Sequence, residues 1–477
     1  MGFLVRLREL ARQRPSHPAV CDARGEWSYA ELAQRVEAAC SHLCRQGIGP
    51  GSVVGIMLDD EAEHLVATLA LLAGGARQIV LATHDPVPAR RQLAARVGVT
   101  HLLMRAGAPT LEGVARVDWP RIGVPADAER GTPPIAPSAG TLVLRTSGTT
   151  GGINLVAFDE AQIAAQAERH ADYRDERLLR VASIEHNNSK RHRLYCVWAG
   201  GSNVFRPANA ELVAFALAHR VSCLDISRMH AADLAGSPEA HRLAAIKLRT
   251  GGSAVPIGVR RAVLERTTRQ LYVRYAATEC GAIAMALPGD HDADESAGRP
   301  LPGVELQVVG TDGGTLPCGE TGEIRLRAPG MATGYVDNPL QSAQRFRDGW
   351  FYPGDVGALR RDGQLIVQGR RDDMIVLNGL NIFPAEIERV LERHPAVAEA
   401  AALPLPSRVH GQIPVAAVVL RPGEDVSASE LRRYCHQQLG LRAPRRVLVI
   451  ERLPKNSQGK TMKRELVDEF QPGAAAA

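Results

Sequence analysis

Helix and strand patterns alternate regularly over the first third of the chain, and this alternation constrains the fold more than any other feature. Apolar residues recur at helical spacing over residues 29–46, directly after Ser28, a good N-cap. Residues 52–58 then predict a buried strand, residues 61–72 a helix and residues 78–82 another strand. Such an order favours an α/β sheet whose faces are covered by helices.

The second half of the chain shows a different pattern. Short strand patterns over residues 303–310, 322–327 and 364–368 are separated by Asp-Gly and Gly-Gly turns. These patterns predict an antiparallel β-subdomain.

A polar stretch at residues 369–373 follows, and beyond it Pro384 occupies the place of a first helical residue. We therefore predict two domains, as expected for a chain of 477 residues. A large N-terminal domain of α/β sheets, with the antiparallel β-subdomain, spans residues 1–369. A small, mobile α+β domain spans residues 370–477.

Composition excludes several classes of protein. A formal net charge of +5 over 477 residues does not indicate a nucleic-acid-binding protein. The most apolar stretch, residues 65–82, is interrupted by glycine and arginine and predicts no membrane span. The N-terminus lacks the apolar core of a signal peptide, and the eight cysteines form no CxxC pair. We expect a cytoplasmic protein with reduced thiols.

A segment rich in glycine and hydroxyl groups follows an apolar run at residues 141–144. A strand that enters such a turn presents backbone N–H groups and hydroxyls to an anion, which favours phosphate binding. The segment lacks the Gly-Lys-Ser/Thr ending of a Walker A loop, and a flexible surface loop is the alternative. Its residues are Thr146, Ser147, Gly148, Thr149, Thr150 and Gly151.

Two further segments bear groups suited to a nucleotide. Tyr275, Thr278 and Glu279 follow an apolar run, where a ring, a hydroxyl and a carboxylate can stack a base, bind a phosphate and hold Mg²⁺. Asp355 follows a turn and could accept hydrogen bonds from ribose hydroxyls; a simple turn cap is the alternative.

Taken in order, these segments resemble the adenylate-forming superfamily. That superfamily contains acyl- and aryl-CoA synthetases, the adenylation domains of peptide synthetases, and luciferases. The chain looks most similar to its stand-alone aryl and acyl acid ligases. The matching segments keep the family order and spacing across nearly the whole chain, and they are residues 146–151, 275–279, 322–335, 352–355, 369–375, 378–388 and 454–460.

The resemblance implies a role for each matching residue. Residues 146–151 would cradle the ATP phosphates, near Gly252. Tyr275 would stack on adenine, Thr278 would contact the α-phosphate region and Glu279 would hold Mg²⁺.

The remaining roles concern the ribose, the reaction and the hinge. Asp355 and Arg370 would bind the ribose. Lys460 would bridge the substrate carboxylate and the α-phosphate, and Asp372 matches the hinge of a swinging C-terminal domain. A cation and a metal are needed because adenylation brings two anions together and builds charge on the phosphorus oxygens.

The implied reaction converts a carboxylic acid and ATP to an acyl-adenylate, and then to a thioester of CoA. A close alternative is transfer to the phosphopantetheine arm of a separate acidic carrier protein. Residues 432–464 contain ten lysines and arginines against a single acid, Glu451. This basic run is either a solvated face or a surface for phosphates or an acidic partner.

One departure from the family pattern concerns the phosphate segment. Asn154 replaces the lysine that this segment usually carries, which puts the speed of adenylation or the handling of pyrophosphate in doubt. A non-catalytic relative that binds nucleotide is therefore the competing hypothesis.

The second departure lies in the segment that gates the substrate. His186 and Asn187 resemble the His-Asn pair of aryl-acid-activating domains, but four basic or potentially basic residues, 190–193, follow. The alternatives are a solvated loop, or a cluster that meets an anionic substrate group or the carrier's phosphate. His186 could also pack as a neutral ring.

The expected acyl pocket is small. Its predicted lining combines His186 and Asn187 with Gly251, Ser253, Cys280 and Gly281. The segment carries Glu185 but lacks the Asp with which amino-acid-activating members hold the substrate ammonium. We therefore expect a compact aryl or short acyl acid.

Overall fold

The computed structural model describes residues 1–107, 110–120, 140–147, 153–291, 295–377, 380–407, 409–455 and 461–470. Within these ranges the helices are α1 Phe3–Gln13, α2 Tyr29–Arg45, α3 Glu61–Ala73, α4 Val87–Val97, α5 Glu160–Glu168, α6 Asn187–Ala199, α7 Leu212–Ala218, α8 Arg228–Gly236, α9 Ile257–Arg266, α10 Pro339–Arg345, α11 Pro384–Glu392 and α12 Ala428–Leu439. In the part of the chain so described, no helix is both long and apolar enough to cross a membrane.

The strands fall into four sheets. In chain order they are β1 Pro18–Asp22, β2 Gly25–Ser28, β3 Val53–Met57, β4 Arg77–Val80, β5 His101–Met104, β6 Ala115–Asp118, β7 Thr141–Ser147, β8 Ile153–Asp159, β9 Arg177–Arg180, β10 Ser202–Val204, β11 Cys223–Ser227, β12 Lys247–Gly251, β13 Leu271–Ala277, β14 Gly281–Ala286, β15 Arg299–Pro300, β16 Glu305–Val309, β17 Gly322–Arg327, β18 Phe346–Arg347, β19 Trp350–Phe351, β20 Asp355–Leu359, β21 Leu365–Arg370, β22 Ile375–Leu377, β23 Leu380–Ile382, β24 Val397–Ser407, β25 Gly411–Leu420 and β26 Arg446–Val449.

Two sheets form the frame of the large domain, as the alternating patterns predict. The first has the order β15-β14-β13-β12-β11-β9-β10-β1-β2, and the second has the order β6-β5-β3-β4-β7-β8. Helix α2 begins at its expected N-cap, because the Ser28 side chain accepts from the Glu31 amide and Glu31 returns the bond. Helix α3 is buried along nearly its whole length between these layers.

The third sheet is antiparallel, as predicted from the turn-rich second half. It runs β18-β19-β17-β20-β21, and β16 pairs with β17. Its last strand, β21, ends at Arg370, one residue beyond the predicted domain boundary.

The C-terminal sheet has the order β23-β22-β25-β24, and β26 pairs with β25. Helix α11 starts at Pro384 as predicted, and its apolar side packs on this sheet through Ile387 and Leu391. The sheet and its helices give the small domain the expected α+β character. Arg389 of this helix donates to the Gln368 carbonyl oxygen at 3.0 Å, which joins it to the third sheet.

The basic segment at residues 190–193 is not a solvated loop. It forms the middle of α6, and Lys190, Arg191, His192 and Arg193 are all buried. The expectation of a solvated loop is therefore wrong, because tertiary packing buries charged side chains that a sequence pattern would place in water.

Candidate active site

The ends of two parallel strands bring the predicted nucleotide and acyl residues to one edge of the first sheet. In the register of β12 and β13, Gly251 lies opposite Arg274. Residues 251–253 at the end of β12 therefore lie beside residues 275–279 at the end of β13. Carboxyl ends of parallel strands are the usual place for ligands in α/β sheets.

Glu279 lies in the turn between β13 and β14 and is only 7% exposed. The Tyr335 hydroxyl donates to Glu279 Oε1 at 2.8 Å. Burial raises the pKa of this carboxyl, and the Tyr335 bond lowers it in part. The Tyr335 bond therefore holds Glu279 Oε1 in place, and the predicted role of this carboxylate toward Mg²⁺ stays a prediction. Among the described residues no group of three or more His, Cys, Asp or Glu could hold a metal, so Mg²⁺ here would also need oxygens from ATP.

Asp355 is the centre of the ribose candidate. The Tyr275 hydroxyl donates to Asp355 Oδ2, and Arg370 Nη1 lies 3.3 Å from Asp355 Oδ1. Asp355 and Arg370 are cross-strand neighbours in the pairing of β20 with β21. Burial and the Asp355 charge raise the pKa of Tyr275 well above its usual value. These contacts place together three residues that are separate in sequence.

Asp372, the predicted hinge residue, is tied to the same group. Arg345 Nη2 donates to Asp372 Oδ2 at 2.6 Å, and Arg370 Nη2 lies 3.3 Å from the same oxygen. Gly354 adopts a φ of +82°, and a Cβ at this position would collide with Arg345 and come within 3.0 Å of Arg370 Nη2. Only glycine leaves room for both guanidinium groups here.

The start of the predicted phosphate segment lies in a β-hairpin. Thr146 is 7% exposed at the end of β7, and its cross-strand neighbour on β8 is Asn154. Asn338 Nδ2 donates to Asn154 Oδ1 at 2.9 Å, so the residue that replaces the usual lysine is fixed by α10, which Asn338 caps.

Parts of the predicted site fall outside the description. Gly148, Thr149, Thr150, Gly151 and Lys460 lie outside the described residues, and Ser147 is described only by its backbone. Their assigned roles stay predictions.

Asn187, which is predicted to line the acyl pocket, is hydrogen-bonded to the backbone of a neighbouring strand. Its side-chain amide donates to the Arg145 carbonyl oxygen, on the strand that leads into the phosphate segment. Arg145 in turn pairs with Asp85 at 2.7 Å. The amide of Asn187 thus joins α6 to β7, and its predicted place in the acyl pocket stays a prediction.

His186 precedes α6 and lies in a small polar group. Its ring centroid is 5.5 Å from that of His84. Burial lowers the pKa of His186, and His84 lowers it further, which favours the neutral ring. Both Glu185 oxygens are taken, by the Thr83 amide at 2.8 Å and by the Thr83 hydroxyl and His84 Nδ1 at 3.1 Å.

Cys280 and Gly281 lie against two arginines. Cys280 is fully buried, and its carbonyl oxygen accepts from Arg169 Nη2 at 2.7 Å. A Cβ added to Gly281 would lie 3.3 Å from Gln166 Oε1 and 3.4 Å from the same Arg169 nitrogen. The neighbouring Thr278 carbonyl oxygen accepts from Arg191 Nη1 at 2.8 Å.

Four residues that contact the predicted site residues have no individual role in the sequence-based prediction. Tyr335 stands in a recognised segment, and the Asn338-Pro339 pair is a helix-start signal. Arg191 follows Asn187 by four residues, so helical spacing could have placed both on one face of α6. No sequence signal marks Arg345, whose contact with Asp372 depends on the third sheet.

The basic run of the C-terminal domain is partly paired. Lys463 lies 2.6 Å from Glu388, Lys455 lies 2.5 Å from Glu399, and Arg442 lies 3.2 Å from Glu386. The run is thus not uniformly available to a partner. Arg432, Arg433 and Arg445 remain exposed.

The comparison with known proteins identifies the family. Residues 7–336 match the family described as "AMP-binding enzyme", and residues 386–460 match "AMP-binding enzyme C-terminal domain". The first match covers more than half of the chain, so the chain belongs to the AMP-binding enzymes, within the adenylate-forming superfamily. It is an ATP-dependent carboxylate–thiol ligase: it activates an acid as the acyl-adenylate and passes the acyl group to a thiol.

Individual relatives are similar over most of the chain. The feruloyl-CoA synthase of an Amycolatopsis species is 30% identical, over 96% of this chain and 97% of the relative. The sulfoacetate–CoA ligase of Cupriavidus necator is 30% identical, over 72% of this chain and 69% of the relative. The solved o-succinylbenzoate CoA synthetase of Bacillus subtilis superposes with a TM-score of 0.83 at 26% identity, covering 97% of each chain.

Proposed function

We propose that this chain activates a small aryl or short acyl carboxylic acid and transfers the acyl group to CoA. The observation that carries the assignment of the site is the convergence of Tyr275, Asp355 and Arg370 beside Glu279 at one sheet edge. A hydroxyl-binding carboxylate next to a buried acid is the arrangement that ribose and metal-bound phosphates require.

Each residue has one task. Asp355 and Arg370 hold the ribose hydroxyls, while Tyr275 lies against adenine. Thr278 contacts the α-phosphate, and Glu279 holds Mg²⁺, which supplies charge neutralisation when bound. Lys460 is assigned by resemblance to bridge the two reacting anions.

The remaining candidates assign the phosphate segment and acyl pocket. Residues 146–151, with Gly252, hold the triphosphate. His186, Gly251, Ser253, Cys280 and Gly281 border the acyl group. The domains divide at residues 369/370, and Asp372 lies at the hinge.

The contacts of Glu185 support a plain acid over an amino acid. An ammonium group needs a free carboxylate beside it, but both Glu185 oxygens are already engaged by Thr83 and His84. Thr83 and His84 are exposed, but Glu185 is only 6% exposed, so a substrate ammonium would have to enter a buried position where both carboxylate oxygens already accept hydrogen bonds. A substrate ammonium would therefore compete poorly for this side chain.

CoA is the first candidate acceptor because the relatives named above are CoA ligases. A carrier protein's phosphopantetheine arm is the second candidate. The exposed Arg432, Arg433 and Arg445 favour it, since an acidic carrier would be attracted to such a surface.

ATP–pyrophosphate exchange with a panel of acids tests the proposal. We expect exchange with at least one small aryl or short acyl acid, and thioester formation on adding CoA. Thioester formation with a carrier protein alone would identify the second acceptor. Tight ATP binding without exchange on any acid would instead support a non-catalytic relative.

Glu279→Gln tests the metal assignment. Loss of transition-state charge stabilisation typically costs about 3–4 kcal/mol, so we expect roughly a hundredfold to a thousandfold lower exchange rate. The Mg²⁺ concentration for half-maximal rate should also rise. An unchanged magnesium dependence would contradict this role of Glu279.

A further inference from the structure

Arg191 differs from the other buried arginines around the first sheet. Arg180 and Arg274 pair with Asp225, Arg249 pairs with Asp172, and Arg193 lies 3.3 Å from Glu61. Arg191 is 4% exposed, yet its hydrogen bonds go only to the Thr278 carbonyl oxygen at 2.8 Å and to Gln166 Oε1 at 3.4 Å. Within the described residues its positive charge has no carboxylate partner.

A second guanidinium lies nearby under the same conditions. Arg169 donates to the carbonyl oxygens of Cys280 at 2.7 Å and Ala282 at 3.2 Å, and its buried Nε has no hydrogen-bond partner among the described residues. Burial lowers the pKa of Arg169, and Arg191 lowers it further. The two like charges therefore meet the backbone of residues 278–282. Glu279 in this turn, proposed to hold Mg²⁺, is near enough for Arg191 to lower its pKa, but among the described residues neither arginine forms an ion pair with it.

An unpaired buried charge is costly to a fold, so it persists best where a ligand completes it. Among the hydrogen bonds and ion pairs of the described residues 190–193, those of Arg191 reach the Thr278–Gly281 turn. His192 Nδ1 is hydrogen-bonded to the Tyr173 hydroxyl, and Arg193 pairs with Glu61. The uncompensated charge is thus placed at the Thr278–Gly281 turn, where the proposed acyl pocket begins.

We propose that the acid activated by this chain carries a second anionic group, a carboxylate or a sulfonate, that pairs with Arg191. The inference rests on the proposed function, because it places the acyl group beside Thr278 and Gly281. A planar guanidinium matches a carboxylate with two parallel bonds, and at low exposure such a pair is little screened by salt.

The test is ATP–pyrophosphate exchange on matched acids. Propanoate is compared with succinate and 3-sulfopropanoate, and benzoate with phthalate, isophthalate and 3-sulfobenzoate. We expect at least one dianionic acid to exceed its monoanionic match in kcat/KM by tenfold or more, as a charged hydrogen bond allows roughly tenfold to a hundredfold. Carboxylate and sulfonate members separate the two anionic groups.

Arg191→Gln should lower that dianion-to-monoanion ratio about tenfold or more, and Arg191→Lys should keep part of it. Arg193→Gln, a buried arginine change on the same helix, should leave the ratio unchanged. Circular dichroism and thermal unfolding check that each variant folds; if Arg191→Gln does not, the wild-type ratio and Arg191→Lys decide.

The outcomes separate the two proposals. Exchange with monoanionic acids alone, or a ratio insensitive to Arg191, overturns the second anionic group and leaves the proposed function intact. Exchange with no acid overturns both.

Discussion

The nucleotide side and the acyl side of the candidate site differ in how their charges are arranged. On the nucleotide side, the two acids Asp355 and Asp372 are paired with the two arginines Arg370 and Arg345. On the acyl side, the hydrogen bonds that Arg191 and Arg169 make with described residues all go to uncharged oxygens. The charged groups of the first side are therefore paired before any ligand binds. On the second side, the proposed second anion of the substrate would be the partner of Arg191.

We expect the largest effect from a substitution on the nucleotide side of the candidate site. Asp355→Ala removes the carboxylate proposed to accept hydrogen bonds from the ribose hydroxyls, and each such bond to a charged group contributes about 1.5–3 kcal/mol. We expect kcat/KM for ATP to fall roughly a hundredfold to a few thousandfold, while the ranking of acids is kept. Exchange at varied ATP measures the loss. Glu239→Ala, which breaks an exposed ion pair with Arg242, serves as the control; a change in acid ranking would contradict the division into two sides.

Gly354→Ala should weaken ATP binding by displacing two guanidinium groups. The left-handed backbone alone costs about 1–2 kcal/mol, and the added Cβ would also strike Arg345. We expect KM for ATP to rise about tenfold or more.

Gly363→Ala provides a matched control for that variant. Its φ of +80° is nearly the same, but open space surrounds the added Cβ. Both variants should lose stability in thermal unfolding, and only Gly354→Ala should raise KM. Equal KM values would show that the guanidinium groups do not position the nucleotide.

Asn187→Ala tests whether Asn187 belongs to the nucleotide side or to the acyl side of the candidate site. Because its amide donates to Arg145 on β7, the loss should appear in KM for ATP, by about fivefold for a bond worth roughly 1 kcal/mol. The acid ranking should stay the same. Asn203→Ala is the control, because Asn203 on β10 donates a similar hydrogen bond to the Arg193 carbonyl oxygen of α6, away from the site. An altered acid ranking would return Asn187 to the acyl pocket.

The smallest effect concerns how the C-terminal domain packs on the large one. Burial raises the pKa of Glu392 to about 7, although Arg228 of α8 lies 3.6 Å away and lowers it in part. In the folded protein Glu392 therefore stays protonated at pH values where the carboxyl of the unfolded chain, with a pKa near 4.5, has lost its proton. The contribution of this protonated carboxyl to the free energy of unfolding is complete below pH 4.5 and is lost as the pH rises through 7.

Between pH 6 and pH 8 the expected loss is about 1 kcal/mol. Urea unfolding at several pH values measures it, and Glu392→Gln should flatten the slope. The same slope in this variant would assign the pH dependence to another group.

Local sequence signals predicted the frame of the fold well. Ser28 and Pro384 mark helix starts by their own backbone preferences, and both helices begin there. Residues far apart in sequence were predicted to share a site only through the family resemblance. In the structure Tyr275 and Arg370 both contact Asp355, and the roles assigned to these residues stay predictions.

Helix α6 was harder to predict for a physical reason. Its basic side chains suggest exposure, but partners on other elements bury them: Glu61 on α3 for Arg193, and the Thr278 carbonyl for Arg191. The hydrogen bond from Asn187 to the Arg145 carbonyl oxygen was likewise not predicted, because it forms only when α6 packs against β7. Such partners follow from topology and leave no local pattern.

Arg370 links the proposed ribose site to the proposed hinge between the domains. It contacts both the carboxylate proposed to hold ribose and the one proposed as the pivot between domains. If rotation about residues 370–373 withdraws Asp372, the guanidinium keeps only one acid, and its hold on the nucleotide changes. Linkage is reciprocal, so whatever factor the rotation imposes on nucleotide affinity, the nucleotide imposes on the balance of domain orientations.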